Sequence, residues 1–315
     1  MDAGSKKNKS GSKPGAAPKG RFAPSPTGRL HLGSMLAAVG SFLNTRAAGG
    51  QWLLRIEDID PPREQPGAAR AQIRTLREFG MVPDAPVHYQ SRSALLHDDA
   101  ISRLRAVDRA FDCACSRSDL PASGVYPGTC RSGLAPGRRA RSVRFRIPDA
   151  AVEFNDLNFG ARREDLAESS GDFVIRRADG LIAYQLAVVV DDIAAGITEV
   201  VRGADLLDSS ARQQALYCAL GVPPPVWLHL PLVVDAAGRK LSKSSAADPV
   251  ASNTPAHTLA LILQALGHRP PAGTHTLSGL WRWALANWQI ERIPQEPFEL
   301  PSGALAASAS TGRDQ

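Results

Sequence analysis

Hydrophobic and polar positions at the start of the chain predict a strand, a turn, a helix and a second strand. Residues 21–23 are a short strand candidate, and the two prolines in residues 24–28 require a turn because proline cannot continue a β-ladder. After His31, apolar residues recur every three or four positions, which indicates one face of a helix that ends at Gly49. Residues 51–56 then predict a largely buried strand. A strand, a helix and a strand in this order favour a parallel sheet.

The rest of the chain has mostly helical spacing, with an irregular stretch near the middle. Residues 113–141 have no hydrophobic period and predict an insertion, whereas residues 142–147 and 226–230 predict strands. Residues 172–176 and the apolar run after residue 180 suggest a hairpin that leads back to the core. Helical spacing recurs at residues 68–80, 93–107, 205–220, 255–266 and 277–288.

Length and composition exclude several classes of protein. With 315 residues, 43% of them hydrophobic, the chain can bury a sizeable core, and no apolar stretch is long enough to cross a bilayer. Residues 1–20 lack the apolar segment of a secretory signal, and four cysteines are too few for a disulfide scaffold. We therefore expect a monomeric cytoplasmic protein without a membrane partner.

The net charge of +6 is concentrated in two places. Residues 1–20 contain five lysines and one aspartate among glycines, serines and prolines, and predict a disordered basic arm. This arm either touches nucleic acid or acts only as a solubilising extension. Six arginines within residues 131–146 form either a solvated face or a patch that follows a nucleic-acid backbone. They are Arg131, Arg138, Arg139, Arg141, Arg144 and Arg146.

The junction between the first strand and the first helix carries candidate chemistry. Gly28 and Gly33 allow a flat ring or a phosphate to approach the backbone closely. The start of the helix supplies unpaired N–H groups and a positive dipole end, to which His31 can add a hydrogen bond to a phosphate oxygen. On its own, a histidine at this place is also typical of a surface or capping residue.

A second motif lies far downstream, in residues 240–244. Lys240 and Lys243 flank a Leu-Ser pair and form a cationic loop that can neutralise charge on a transferring phosphoryl group. Alone, such a loop is also typical of a solvated surface. Together, the His-x-Gly element after a first strand and the Lys-Leu-Ser-Lys-Ser loop resemble the paired signature of class I aminoacyl-tRNA synthetases.

Further stretches resemble the glutamyl branch of this class, namely residues 21–28, 55–60, 181–192 and 201–205. The resemblance implies an α/β fold: a class I synthetase Rossmann-like parallel-sheet catalytic domain with a small zinc-binding insertion and a short helical C-terminal region. One position departs from the family pattern. Ser34 stands where the first signature has a second histidine, so we assign the phosphate role to His31.

The cysteines of the irregular stretch suggest a metal site. Three thiolates within eighteen residues can surround one Zn²⁺ tetrahedrally, and the local candidates for the fourth ligand are Asp112, Asp119 and Tyr126. Buried or free thiols are the alternative. The Cys-x-Cys and Tyr-x-x-x-Cys spacing resembles that of the glutamyl-Q tRNA(Asp) synthetases, truncated relatives of the glutamyl-tRNA synthetases, and this resemblance implies Tyr126 as the fourth ligand of one structural zinc. The thiol ligands would be Cys113, Cys115 and Cys130.

The resemblance implies a domain organisation without an anticodon-binding domain, since only 71 residues follow residue 244. A Rossmann-like catalytic domain is expected at residues 21–220, interrupted by the zinc-binding insertion at residues 113–146. A stem-contact-like region with the lysine loop and short helices would follow at residues 221–300. Residues 301–315 are expected to be a flexible tail.

The resemblance also implies a reaction and the residues that perform it. Truncated relatives activate L-glutamate with ATP and Mg²⁺ in the absence of tRNA, and then esterify the queuosine base in the anticodon of tRNA(Asp). The implied catalytic residues are His31, Lys240 and Lys243. The implied ATP site consists of Gly28, His31, Gly33 and Lys243.

The glutamate pocket needs groups of both charge signs, because glutamate carries two carboxylates and one ammonium. By family matching, Arg21 and Arg202 would clamp the carboxylates, Glu57 would hold the ammonium, and Tyr184 would donate its hydroxyl. The remaining implied contacts are Phe22, Ala23, Pro24 and Ser25.

Three other functions stay open from the sequence. One is a shortened glutamyl-tRNA synthetase that charges a tRNA 3′ end. Another is a small-molecule nucleotidyltransferase, which the cysteine insertion and the arginine run disfavour. The third is a non-catalytic zinc-dependent RNA-binding protein, which the intact lysine loop disfavours.

Overall fold

A seven-stranded sheet forms the centre of the protein, with helices on both faces. The computed structural model describes residues 17–241, 250 and 254–301. The strands in chain order are β1 (Lys19–Phe22), β2 (Gln51–Ile56), β3 (His88–Tyr89), β4 (Ala110–Cys113), β5 (Ser142–Phe145), β6 (Val152–Asp156), β7 (Gly160–Glu164), β8 (Val174–Arg176), β9 (Glu199–Gly203), β10 (Val226–Leu230), β11 (Val233–Val234) and β12 (Phe298–Glu299). The helices are α1 (Leu32–Ala47), α2 (Ala68–Glu78), α3 (Ala94–Ala106), α4 (Leu166–Ser169), α5 (Tyr184–Ala195), α6 (Ser209–Ala219), α7 (Pro255–Ala265) and α8 (Leu277–Asn287).

The order of strands in the main sheet is β3-β2-β1-β9-β10-β6-β7. All neighbours are parallel except β6 and β7, which form an antiparallel hairpin at one edge. From β1 the chain builds outward through β2 and β3, and later returns to place β9 and β10 on the other side. Such a reversal opens a crevice at the carboxyl ends of the two central strands, which is where α/β folds bind ligands. The parallel sheet confirms the predicted fold class.

The two faces of the sheet are covered by different sets of helices. On one face, α1 packs against α7 and α8, and Phe42 contacts both Trp52 and Trp281 edge-on with ring centroids 5.2 and 5.0 Å apart. Trp281 also donates its Nε1–H to the Phe79 carbonyl at 2.8 Å. On the other face, α3, α5 and α6 bury a second apolar cluster. The C-terminal helices are therefore part of the catalytic body.

A smaller antiparallel sheet, β4-β5-β8, carries the irregular stretch with the cysteines. The predicted strand at residues 142–147 is confirmed as β5. The predicted hairpin after β8 is confirmed but short: Arg176 forms an antiparallel bridge with Ile182, the Arg177 N–H donates to the Leu181 carbonyl at 2.8 Å, and the Ala183 N–H donates to the Ile175 carbonyl at 3.0 Å. From Tyr184 the apolar run forms helix α5, since its side chains pack on the sheet face and its backbone hydrogen bonds are satisfied within the helix.

Two predicted boundaries differ from the structure. Residues 17–20 are not part of a disordered arm: β1 begins at Lys19, whose N–H donates to the Thr198 hydroxyl at 2.9 Å and whose carbonyl accepts from the Thr198 N–H at 2.9 Å. The main sheet also continues past residue 220, because β10 pairs with β9. The hairpin β6–β7 was not predicted from the sequence.

Some predictions lie outside the described residues. These are the basic arm as far as residue 16, the part of the lysine loop that contains Lys243, and the tail after residue 301. Within the described ranges, every helix is too short or too polar to cross a bilayer.

Candidate active site

A cleft of about 600 Å³ opens at the carboxyl ends of β1 and β9. Its floor is the strand edge at the reversal of strand order, and its rim is formed by the turn before α1 and by the start of the lysine loop. Most of the residues predicted for glutamate and ATP line it. They are Arg21, Phe22, Ala23, Pro24, Ser25, His31, Gly33, Glu57, Tyr184, Arg202 and Lys240.

The first signature motif and the first two residues of the second, Lys240 and Leu241, line this cleft together. His31 is the N-cap of α1, and its ring contacts Ser34 through the Ser34 N–H at 3.4 Å and the Ser34 hydroxyl at 2.9 Å. A Cβ added to Gly33 would lie 3.2 Å from the His31 ring and 3.5 Å from the Leu241 carbonyl oxygen. Glycine at this position therefore leaves room for the His31 ring, and the start of the lysine loop lies in contact distance of the same position.

Lys240 lines the same cleft as His31. Its ammonium pairs with the Asp205 carboxylate at 2.6 Å, and both side chains are partly exposed. Asp205 also lines the cleft, just after β9. This ion pair anchors the first residue of the lysine loop to the strand end that carries Arg202.

Arg21 belongs to a buried network of charges beneath the cleft. Its Nε–H contacts both oxygens of Asp192 at 3.1 Å, while Arg55 reaches Asp192 at 2.6 Å and Glu57 at 3.2 Å. Burial raises the pKa of Asp192, but Arg21 and Arg55 outweigh burial and hold that pKa below its usual range. Neither Nη nitrogen of Arg21 hydrogen-bonds to a residue that the structure describes. Because Arg21 lines the cleft, we infer that these two nitrogens are directed into it.

Glu57 and Tyr184 line the same part of the cleft. Burial raises the pKa of Glu57, and Arg55 and Arg21 only partly oppose this shift. Burial likewise raises the pKa of Tyr184, so its phenol keeps its proton and can donate a hydrogen bond. Glu57 therefore offers a carboxylate that can bind a cation, and Tyr184 offers a neutral hydrogen-bond donor.

Arg202 is a buried guanidinium without a carboxylate partner among the described residues. Its nitrogens donate to His229 Nε2 at 3.0 Å, Gln213 at 2.7 Å and Ser210 at 2.9 Å. His229 in turn contacts Asp156 through Nδ1 at 2.6 Å. Because Nε2 accepts from Arg202, His229 is neutral with its proton on Nδ1, and burial lowers its pKa accordingly. Neutral groups orient Arg202, and no carboxylate of the described residues contacts it; Asp192 acts on its charge only from a distance.

Gly28 does not line the cleft, although it shapes the turn. Its φ of +138° is a conformation that glycine adopts readily. Gln72 of α2 donates to the carbonyl oxygens of Gly28 at 2.7 Å and Ser25 at 3.0 Å, which fixes the turn from behind. The structure therefore gives Gly28 a conformational part in the site, and a direct ATP contact stays a prediction.

The thiols of the irregular stretch form a compact cluster. The Sγ atoms of Cys113, Cys115 and Cys130 all lie within 4.8 Å of one another, so the group could hold a metal ion. The Tyr126 hydroxyl lies 3.5 Å from the Cys113 Sγ and accepts the Cys130 N–H at 2.8 Å. Burial raises the pKa of Cys113, but hydrogen bonds from Tyr126, the Cys115 N–H and Arg144 lower it to about 7.

Among the other fourth-ligand candidates, both aspartates are used elsewhere. Asp112 pairs with Arg105 at 2.5 Å, and Asp119 caps a short turn by accepting the Ser116 N–H at 2.7 Å. Of the three candidates, only Tyr126 meets the thiols.

The arginine run is divided between structural and exposed residues. Arg131 binds both oxygens of Asp172 at 2.6 Å, and Arg144 is buried beside the thiols. Arg138, Arg139 and Arg141 are exposed. Arg138 donates to the Ala114 carbonyl at 2.9 Å and pairs with Asp119, and Arg146 pairs with Asp108. Among the described residues only Arg139 and Arg141 of the six have no side-chain partner, so the patch available to a nucleic acid is about a third of the predicted one.

Several residues of the site were not predicted with these roles. Asp192 holds Arg21, Asp205 holds Lys240, and His229 with Asp156 orients Arg202. The signal for two of them was present in the sequence. Asp192 interrupts an apolar run and His229 interrupts an apolar strand, and a buried charged or polar residue requires a partner.

Comparison with known proteins agrees with this geometry. The chain matches the family of class I tRNA synthetases (E and Q), catalytic domain, over residues 19–123 and 129–254. A glutamyl-Q tRNA(Asp) synthetase from Chromobacterium violaceum is 50% identical over 290 residues, which cover 90% of this chain and 97% of that protein. Another from Aromatoleum aromaticum is 48% identical over 299 residues, covering 92% and 95%.

A solved structure leads to the same group. The glutamate-tRNA synthetase from Elizabethkingia anophelis superimposes with a TM-score of 0.77 at 25% identity, over 91% of this chain and 69% of that one. This likeness in fold agrees with the sequence matches. The chain therefore belongs to the class I tRNA synthetases (E and Q), and within them to the glutamyl-Q tRNA(Asp) synthetase family.

Proposed function

We propose that the protein activates L-glutamate with ATP and Mg²⁺ in the absence of tRNA, and transfers the glutamyl group to the queuosine base in the anticodon of tRNA(Asp). The relatives that match nearly their whole length carry the name of this activity. ATP and tRNA as substrates favour a cytoplasmic location. The residues that line the cleft all come from one chain, and we propose that the protein acts as a monomer.

One observation supports the proposed binding of glutamate: Arg202 is buried, and no carboxylate of the described residues contacts it. A buried guanidinium without an anionic partner is costly, and a substrate carboxylate would compensate it. Arg21 offers two free Nη groups for bidentate contact with the other carboxylate, whereas Arg202 has most of its N–H groups engaged. Glu57 would hold the ammonium, and Tyr184 would donate to a carboxylate oxygen.

In the first step, a glutamate carboxylate oxygen attacks the α-phosphorus of ATP, a P–O bond to pyrophosphate breaks, and glutamyl-adenylate forms. The protein positions the reactants and stabilises charge on the phosphoryl oxygens. His31 would donate from the start of α1, where helix N–H groups also point at the phosphates. Lys243 would stabilise the phosphoryl oxygens from the side opposite His31. Lys240 would assist once its ammonium leaves the Asp205 carboxylate and binds a phosphate oxygen.

In the second step, a hydroxyl of queuosine attacks the activated carbonyl carbon and AMP leaves with the bonding electrons. The anticodon loop must then approach the mouth of the cleft. Arg139 and Arg141 are exposed, have no side-chain partner among the described residues, and would contact its phosphates.

The metal of the cysteine cluster is proposed to be Zn²⁺ with a structural role. Tetrahedral zinc with Zn–S bonds of about 2.3 Å separates two sulfurs by about 3.8 Å, and a phenolate oxygen from a sulfur by about 3.5 Å. Cys115 and Cys130 have sulfurs 3.7 Å apart, and Tyr126 lies 3.5 Å from the Cys113 sulfur. The donor set of Cys113, Cys115, Cys130 and Tyr126 therefore fits zinc, which would stabilise the lobe on β4 and β5.

The deciding experiment supplies ATP, Mg²⁺ and labelled glutamate with tRNA that contains or lacks queuosine. Label that requires queuosine and survives removal of the 3′ adenosine supports the proposal. Label on the 3′ end would instead identify a shortened glutamyl-tRNA synthetase. ATP–pyrophosphate exchange that requires tRNA would contradict tRNA-independent activation.

A further inference from the structure

Arg144 is a second buried guanidinium without a carboxylate partner in the described part of the chain. It is 7% exposed. The nearest candidate, Asp172, gives its carboxylate to Arg131 and offers Arg144 only its backbone oxygen, at 2.6 Å. A buried cation normally has an anion beside it, so its counter-charge must come from another group.

The groups beside Arg144 are the cluster residues themselves. Its Nε–H points at the Cys113 Sγ at 3.3 Å, and its guanidinium carbon lies 3.8 Å from the centre of the Tyr126 ring. One planar side chain thus donates to a thiol ligand and covers the face of the phenol. Both contacts favour negative charge on their acceptors, by hydrogen bonding and by cation–π attraction.

Charge balance explains why such a group is needed. Three thiolates and one phenolate around Zn²⁺ carry a net charge of about −2, which is costly at a site that is largely buried. A single guanidinium reduces this to about −1. Outer partners of metal ligands also fix the orientation of those ligands and raise metal affinity.

We propose that Arg144 is the positioning residue and counter-charge of the metal cluster: it orients Tyr126 and the Cys113 thiolate toward Zn²⁺ and offsets their charge. This rests on the proposed zinc site and concerns a residue that the arginine run had suggested for RNA. Arg144 therefore contributes to metal binding, whereas its exposed neighbours Arg139 and Arg141 remain free for nucleic acid.

The test measures Zn²⁺ affinity of the full-length protein by competition with a chromophoric chelator. We expect Arg144→Gln to weaken Zn²⁺ binding by about 10- to 100-fold, the usual effect of losing an outer partner of a metal ligand. The matched control is Arg139→Gln, an exposed arginine of the same run, which should bind Zn²⁺ as the parent does. Arg144→Gln with an affinity within twofold of the parent would overturn the proposal.

A second variant separates charge from folding. Arg144→Lys keeps the positive charge. Its Zn²⁺ affinity should lie between that of the parent and that of Arg144→Gln. An affinity no better than that of Arg144→Gln would overturn the role of Arg144 as counter-charge. In cobalt-substituted protein, Arg144→Gln should alter the visible absorption of the tetrahedral site, while Arg139→Gln should not. If the parent itself binds no zinc, both the zinc site and the role of Arg144 are rejected. The proposed glutamylation is tested separately by the tRNA assay and does not depend on this result.

Discussion

Asp192→Asn tests the buried network that holds Arg21 beneath the cleft. Asparagine keeps the shape of the side chain but removes the charge shared by Arg21 and Arg55. Arg55 keeps Glu57 at 3.2 Å and Asp191 at 3.9 Å, whereas Arg21 loses its only carboxylate partner in the described residues. Breaking one buried ion pair costs about 3–5 kcal/mol, because the remaining charge is left uncompensated.

That loss is a large share of a typical stability of about 5–15 kcal/mol, so it is measurable by urea unfolding. We expect the free energy of unfolding of Asp192→Asn to fall by about 3–5 kcal/mol. At temperatures where the variant stays folded, KM for glutamate should also rise, because Arg21 is no longer held by its Nε.

The matched control is Asp112→Asn, which removes the pair with Arg105 on the surface. Both partners are nearly half exposed, so the expected change is about 0–1 kcal/mol. An Asp192→Asn variant that unfolds within 1 kcal/mol of the parent would refute the reasoning, since it would mean that water or rearrangement compensates Arg21.

Four further variants test other parts of the site. Gly33→Ala should lower the rate of ATP–pyrophosphate exchange by about 10- to 100-fold with the fold intact, because the new methyl group would lie 3.2 Å from the His31 ring and shift it; an unchanged rate would contradict this close contact. Lys243→Ala should remove about 2–4 kcal/mol of transition-state stabilisation in the same assay, and unchanged turnover would refute its role. Since burial raises the pKa of Glu57, KM for glutamate should rise as pH falls through that raised pKa, at a higher pH than for an ordinary glutamate. Glu57→Gln should raise KM and abolish this pH dependence; a parent whose KM for glutamate shows the same pH dependence as that of Glu57→Gln would argue against Glu57 as the ammonium partner. Cys115→Ser should release zinc and destabilise its lobe with adenylate formation partly spared, and full metal occupancy, measured by elemental analysis, would reject the ligand.

Local patterns in the sequence were sufficient for the elements that bury one continuous face. The helical spacing at residues 68–80 and 277–288 corresponds to α2 and α8, and residues 51–56 form β2. Periodicity failed for β6 and β7, where only Val152 and Asp156 are buried and the other strand residues are half-buried or exposed. An edge hairpin has too little buried surface to impose an alternating pattern.

By itself, the sequence determined which residue types carry the chemistry and their order along the chain: the turn and histidine before α1, the lysine loop and the thiols with Tyr126. Only the tertiary structure decided which charges are already balanced. Asp192 compensates Arg21 and Asp172 compensates Arg131, whereas Arg202 and Arg144 have no carboxylate among the described residues. The physical reason is that ion pairing depends on distance and burial, and these paired residues lie 41 and 171 positions apart in the sequence.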